Sequence, residues 1–343
     1  MKKNPLIGKG LAVGIILLFV GTCIIPAIAQ DAEKPLPTSR GSWLYVGGSG
    51  PGNYTRIQDA VDNASTGDTV FVFDDSSPYD ENITVDKSIT VQGENMYTTI
   101  VDQGHCNNDN YVTISSDHVT ITGLTFNDSG TGGVWLEDVS NNIIENCVFY
   151  HNAFGITLRG KVENNSIRNC SFRSNHIIGM QISGWRMKNN EISYCDFFNN
   201  GEDWEFTGAI QIWVSRGVKI HHCNITHNTL GIILYGMFNA AVQITSNNIV
   251  NNDINWYHAG VVFQTIFPLL CDARHNWWGT PQGPNINMTL IFFDSDRTIR
   301  NVDSNETVLF YGWKGLFVGL TRIFPWLTEP VPDAGRHTYK ENV

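Results

Sequence analysis

The sequence predicts an all-β fold: one chain wound into a single-stranded parallel β-helix, a solenoid, with a short helix capping its N-terminal end. Three observations predict it. The first is a repeated pattern. Ile144, Cys147, Phe149, Asn152, Gly155, Ile156 and Leu158 are followed by Ile167, Cys170, Phe172, Asn175, Gly179, Met180 and Ile182. Ile192, Cys195, Phe197, Asn200, Gly208, Ile210 and Ile212 come next. Further copies begin at Ile220, with Cys223 and Asn228, and at Ile244, with Asn252; a looser one begins at Ile121. Their spacing of about 23 to 28 residues is that of a solenoid coil. The second observation is that apolar residues within each copy alternate with period two, the strand period, with no helical period between them. The third is that one copy cannot bury its own apolar face, so copies must stack.

The elements follow in order. Residues 1–29 read as an export signal: Lys2, Lys3 and Lys9 precede an apolar run from Leu11 to Ile25, and Ala27-Ile28-Ala29 offers a small-x-small cleavage site. The competing reading is a retained anchor, because the run is nearly long enough to span a bilayer. Residues 30–42 form a polar linker. Residues 43–110 hold the cap and first coils. There Tyr54 to Ala64 is expected to be helical, with Ile57, Ala60 and Val61 on one face. Thr69 to Phe73 and Ile83 to Gln92 are expected to be strands. Residues 111–285 hold the repeat coils. Each coil is expected to carry two strand runs, one before the Asn and one after the Gly, with glycine permitting the bend between them. Stacking sets Asn152, Asn175, Asn200, Asn228 and Asn252 above one another, so that their amides form a ladder. Cys147, Cys170, Cys195 and Cys223 share another interior column and are expected to be free thiols, because parallel Cβ vectors sit too wide for a bridge. Residues 286–343 lose the repeat, and FPWLTEPVP is expected to lie as a rigid tail over the last coil.

The residues also carry a family resemblance. The opening GNYTRIQDAVDNASTGD (Gly52 to Asp68), the coils themselves and the closing RHNWWGTPQGP (Arg274 to Pro284) resemble secreted right-handed parallel β-helix proteins. The type is NosD-like and pectin-lyase-like, a group of carbohydrate-binding proteins and sugar hydrolases. The resemblance implies a right-handed helix over roughly residues 43 to 330. It leaves function open, because this fold hosts lyases, hydrolases, adhesins and maturation factors. The NTD, DD, GHG and RIK patterns of polygalacturonases do not occur, nor do the later motifs of pectin methylesterases. Val134-Trp135-Leu136-Glu137-Asp138 superficially resembles a pectate lyase segment, but lacks its following His and an Asp cluster for Ca²⁺. No cofactor is implied.

Candidate binding residues lie on the strand after each Gly. One outward column reads Trp135, Thr157, Gln181, Gln211, Ile233, Val262; its neighbour reads Glu137, Arg159, Ser183, Trp213, Tyr235, Gln264. Aromatic faces beside planar polar groups suit sugar rings. Two coils carry seven-residue loops, Gly201 to Thr207 and Asp253 to Ala259. They bring Trp204, Trp256 and Tyr257, with the acids Asp203, Glu205 and Asp253 as the candidate catalytic carboxylates. Their bases lie two coils, roughly 10 Å, apart. They are expected to wall a groove floored by Ile233 and Tyr235. The histidines are scattered. His221 and His222, adjacent on a strand, are expected to point to opposite sides or into a turn, so no metal site is read from them. The NosD-like resemblance raises maturation of a copper site, but no Met-rich or His-rich segment accompanies it.

Charge narrows the partners. The chain carries 22 basic and 33 acidic residues, net −11. Such an acidic chain lacks the electrostatic footprint for nucleic acid and is repelled by anionic lipid. Nine Asn-x-Ser/Thr sequons are possible glycosylation sites in an exported protein. Taken together, the sequence points to an exported protein that binds envelope or extracellular polysaccharide without membrane insertion after cleavage. The competing classes are a polysaccharide lyase or glycoside hydrolase, and a periplasmic copper-site maturation factor.

Overall fold

The computed structural model describes residues 41–102, 112–184, 186–202, 207–213, 217–235, 240–252, 261–264, 270–287, 307–311, 321–322 and 325–336. These residues form three parallel sheets of 11, 8 and 10 strands, here A, B and C. Each coil supplies one strand to each sheet. Ile143–Glu145 lies in A, Val148–Tyr150 in B and Phe154–Arg159 in C. The same triplet recurs as Ser166–Arg168, Ser171–Arg173 and Ile178–Ser183. The chain is therefore a parallel β-helix.

Each coil has three strand runs rather than the two expected, because the run before the Asn is broken. A residue in the left-handed region breaks it, turning the chain from A to B: Asn146, Asn169, Tyr194, His222, Ser246 and His275, with φ between 52° and 59°. His151, Ser174, Asn199, His227 and Asn251 turn it from B to C in the same way. Non-glycine residues rarely adopt this conformation, and Asn and His do so more readily than most. The repeat glycine therefore does not make the bend. A Cβ on Gly155 would overlap the carbonyl oxygen of Gly179 and lie 2.9 Å from the Phe172 ring. Glycine is needed there for close approach of backbone and core.

The core is built of columns. Phe126, Phe149, Phe172 and Phe197 are fully buried and stack with ring centroids 5.2, 4.8 and 4.5 Å apart. Trp278 is fully buried in register with Ile249, the strand position that Phe197 and Ile225 occupy in earlier coils. The asparagine ladder is complete. The Asn175 Nδ2 donates to Asn200 Oδ1 at 2.7 Å and to Phe149 O at 3.1 Å. Asn200 repeats this with Asn228 at 2.8 Å, and Asn228 with Asn252 at 2.9 Å. A second ladder escaped the sequence reading. Asn142, Asn165 and Asn190 stack at the corner leading into sheet A, where Asn165 Nδ2 meets Asn190 Oδ1 at 2.9 Å. Its trace in the sequence is an Asn two residues before the Ile of three successive coils, those of Ile144, Ile167 and Ile192. Cys147, Cys170, Cys195 and Cys223 are buried free thiols, as is Cys271. Burial pushes the Cys147 and Cys195 thiols up. Asn247 and Asn276 extend this column as a short amide ladder at 3.1 Å.

At the N-terminal end the helix spans Ile57–Asn63, shorter than expected, and Ile57, Ala60 and Val61 are buried. Its N-cap Arg56 makes no side-chain capping bond. Instead Glu81, on the following coil, accepts the N–H groups of Ile57 at 2.7 Å and Gln58 at 3.0 Å. A carboxylate there satisfies two orphan donors. The expected strand over Ile83 to Gln92 is two strands, Ile83–Val85 and Thr90–Gly93. At the other end, Thr307–Tyr311 extends sheet C and Thr321–Arg322 extends sheet A. Residues 325–336 then run back along the corner between A and B. Leu327 N–H reaches Asn276 O at 3.0 Å, Val331 N–H reaches Asn248 Oδ1 at 2.7 Å, and Gly335 N–H reaches His222 O at 2.7 Å. Arg336 meets the Tyr97 hydroxyl. The tail thus lies over the last coil, as expected, and straps earlier coils as well.

Candidate functional site

Sheet C aligns the two outward columns in the register read from the sequence. Trp135 pairs with Thr157, Gln181, Gln211, Ile233 and Val262 in turn; Glu137 pairs with Arg159 and Ser183, and Tyr235 with Gln264. The first column is not an open surface. Thr157, Gln211 and Ile233 are buried. The open strip is therefore the second column, Glu137, Arg159, Ser183 and Trp213, with Trp135 half-buried at its edge. Trp213 is 43% exposed.

Polar groups orient both tryptophans. Trp213 Nε1 donates to Gln211 Oε1 at 2.7 Å, and Gln181 Nε2 donates to the same oxygen at 2.9 Å. The indole edge is fixed while much of the ring remains accessible. Three strand steps away, about 14 Å, Trp135 Nε1 donates to Glu137 Oε2 at 3.3 Å. The Arg159 guanidinium lies 5.7 Å from the Trp135 ring centroid and 3.7 Å from Glu137. Arg159 and Glu137 are well exposed, so solvent weakens their ion pair. The cation covers one indole face. In these two columns the carboxylate is Glu137, held between an indole N–H and an arginine. Asp138 is engaged in the next turn, accepting the Lys161 N–H at 2.7 Å.

Other predicted residues lie outside the described residues: Asp203, Trp204, Glu205, Asp253, Trp256 and Tyr257. Tyr235 is described as part of strand Ile232–Tyr235 but not by its side chain. The signal segment also lies outside them. No helix among the described residues is long and apolar enough to cross a membrane.

Two surface clusters were not foreseen. Trp43, Tyr45, Phe71 and Phe73 form an aromatic patch at the N-terminal edge of sheet A, with neighbouring centroids 5.1 to 6.3 Å apart. The alternation in WLYV and FVF is its trace in the sequence. His221 ends its strand and His222 lies in the turn that follows, one of the two expected placements, and their Nδ1 atoms lie 2.9 Å apart. The left-handed backbone of His222, φ 53°, interrupts strand alternation and swings its ring beside that of His221.

The three stacked parallel sheets define a parallel β-helix. Residues 105–265 match the family model described as the right handed beta helix region. The chain is similar in fold to a solved pectate lyase, Pel9A, with TM-score 0.52 and 17% identity over 87% of this chain and 82% of that one. A solved pectin methylesterase from Aspergillus niger is also similar, with TM-score 0.42 and 17% identity over 88% of this chain and 90% of that one. At 17% identity the likeness to the pectate lyase is one of fold. No curated protein matches the sequence.

Proposed function

We propose that the protein is exported and binds a polysaccharide chain along the outer face of sheet C, without cleaving it. One observation carries the reading: Trp135 and Trp213, three coils apart on neighbouring outward columns, each fixed at its indole N–H, with Arg159 and Ser183 between them. A rigid strip of aromatic and planar polar groups offers apolar faces to sugar rings and hydrogen-bond partners to their hydroxyls. The loop residues Trp204, Trp256 and Tyr257, with Tyr235, are further candidates for sugar contacts. Asp203, Glu205 and Asp253 are the carboxylates that distinguish binding from cleavage, because an inverting glycosidase needs two such groups about 6.5–9.5 Å apart.

A glycan array on the full chain tests the proposal, followed by assays for new reducing ends and unsaturated uronides on every glycan retained. Saturable binding with neither product is the expected result. Turnover that disappears in Asp203→Asn, Glu205→Gln or Asp253→Asn while affinity persists would make the protein a glycosidase or lyase instead.

A further inference from the structure

His221 and His222 sit on the outer face of sheet A at its corner with sheet B, away from the strip on sheet C. We infer that this corner binds a divalent transition-metal ion through the Nδ1 atoms of both imidazoles. The first argument is the bite. Imidazole nitrogens bind such metals at about 2.0–2.1 Å, so two of them at right angles stand about 2.9 Å apart. The observed separation is 2.9 Å. That geometry suits the tetragonal or octahedral shells of Ni²⁺ or Cu²⁺; a tetrahedral ion needs nitrogens about 3.3–3.4 Å apart at the same bond length. The ion sits off the line between the nitrogens, and small χ2 rotations, which are soft for His, aim both lone pairs at it.

The second argument is the supporting carboxylate. Glu191, one coil back, lies 2.9 Å from His221 Nε2. Accepting a proton there leaves Nδ1 as the donor nitrogen, the arrangement by which carboxylates orient metal-binding histidines. The third is the fixed frame. His222 is held by its left-handed backbone, by the stacked Tyr194 ring at 5.1 Å, and by Gly335 of the tail, whose N–H bonds its carbonyl. Ser193 and Thr245 flank His221 in register on the adjacent strands. The His221 side chain is 25% exposed, so an ion can reach it. Among the described residues no group of three or more His, Cys, Asp or Glu side chains is arranged to hold a metal. The two imidazoles are the donors the structure shows, and water or a small ligand completes the shell. Binding displaces the proton that lies between the two nitrogens; it moves to His222 Nε2, so each imidazole stays neutral with one N–H.

Isothermal calorimetry of the full chain with Ni²⁺ alone is the test. One saturable site, one ion per chain, is the expected result. The variants are residues the repeat itself uses at these positions: His221→Thr, as at Thr245, and His222→Asn, as at Asn146 and Asn169. Each should weaken nickel binding at least tenfold, and Glu191→Gln by roughly 10- to 100-fold, with melting temperatures of the metal-free chains showing that the solenoid persists. If His222→Asn does not fold, His221→Thr and Glu191→Gln decide. No saturable nickel binding, or binding undiminished in these variants, would overturn the inference and leave a hydrogen-bonded histidine pair.

Discussion

Asn175 and Asn200 show how much rests on single amides in a solenoid. Each is fully or almost fully buried and donates twice, to a backbone carbonyl one coil back and to the next amide in the ladder. Asn175→Leu or Asn200→Leu leaves the neighbouring groups without partners, at a cost of about 1–3 kcal/mol. Thermal melts should show both variants destabilised; melts like the parent's would remove the ladder from the energetics. Tyr79 makes a prediction in pH. Burial raises its pKa to about 12, and its hydroxyl donates to Phe73 O at 2.7 Å. Unfolded tyrosine titrates near 10. Below about pH 10 both states hold the proton and Tyr79 confers no pH dependence. Between about pH 10 and 12 the unfolded chain loses the proton first, so stability falls as pH rises, by up to about 2.7 kcal/mol in all. Denaturant melts at pH 9 and pH 12 check this. In Tyr79→Phe that component of the fall should vanish.

At the scale of the element, the strands were more legible than the turns. The Ile, Cys and Phe columns could be read because side-chain alternation is a sequence period. The breaks between sheets A and B could not, because Asn146, Tyr194, His222 and Ser246 share a backbone conformation and no side-chain chemistry. Counting two runs per coil follows from that. Glycine misled for a related reason: Gly155 marks close packing on Phe172, which looks the same in sequence as a turn. Gly155→Ala should therefore cost about 1–3 kcal/mol by overpacking, whereas Gly130→Ala, with nothing within 4 Å of its added Cβ, should melt like the parent. Equal melts for the two would contradict this account of the repeat glycine. Helix Ile57–Asn63 was legible by its buried face, but its cap was not, because Glu81 comes from a later coil. Glu81→Ala should lower stability by about 1 kcal/mol, a typical loss for a capping group. Hydrogen exchange at Ile57 and Gln58 would check it, faster exchange being the expected result.

At the scale of the whole molecule, stacking converts a repeat into surfaces. The columns that fill the core fix the outward columns in register, so Trp135 and Trp213 are placed as firmly as the phenylalanines beneath them. The sequence register of both columns held, since one-residue slips would turn every side chain to the other face. What the sequence could not show was coverage: Gln211 and Ile233 point outward yet are buried, so the open strip narrows to Glu137, Arg159, Ser183 and Trp213. The C-terminal tail was legible as a tail; that it straps the A–B corner as far as His222 depends on long-range bonds with no local pattern. The most direct test of the account is the affinity of a retained glycan for the parent, Trp213→Ala, Trp135→Ala and Trp43→Ala. Trp43 is 51% exposed on the patch at the far edge of sheet A, which makes it the control. The account predicts that the Trp213 and Trp135 variants each lose about 1–2 kcal/mol of binding free energy with unchanged melts, while Trp43→Ala binds like the parent. Binding that is indifferent to Trp213 and Trp135, or that is lost with Trp43, would contradict it.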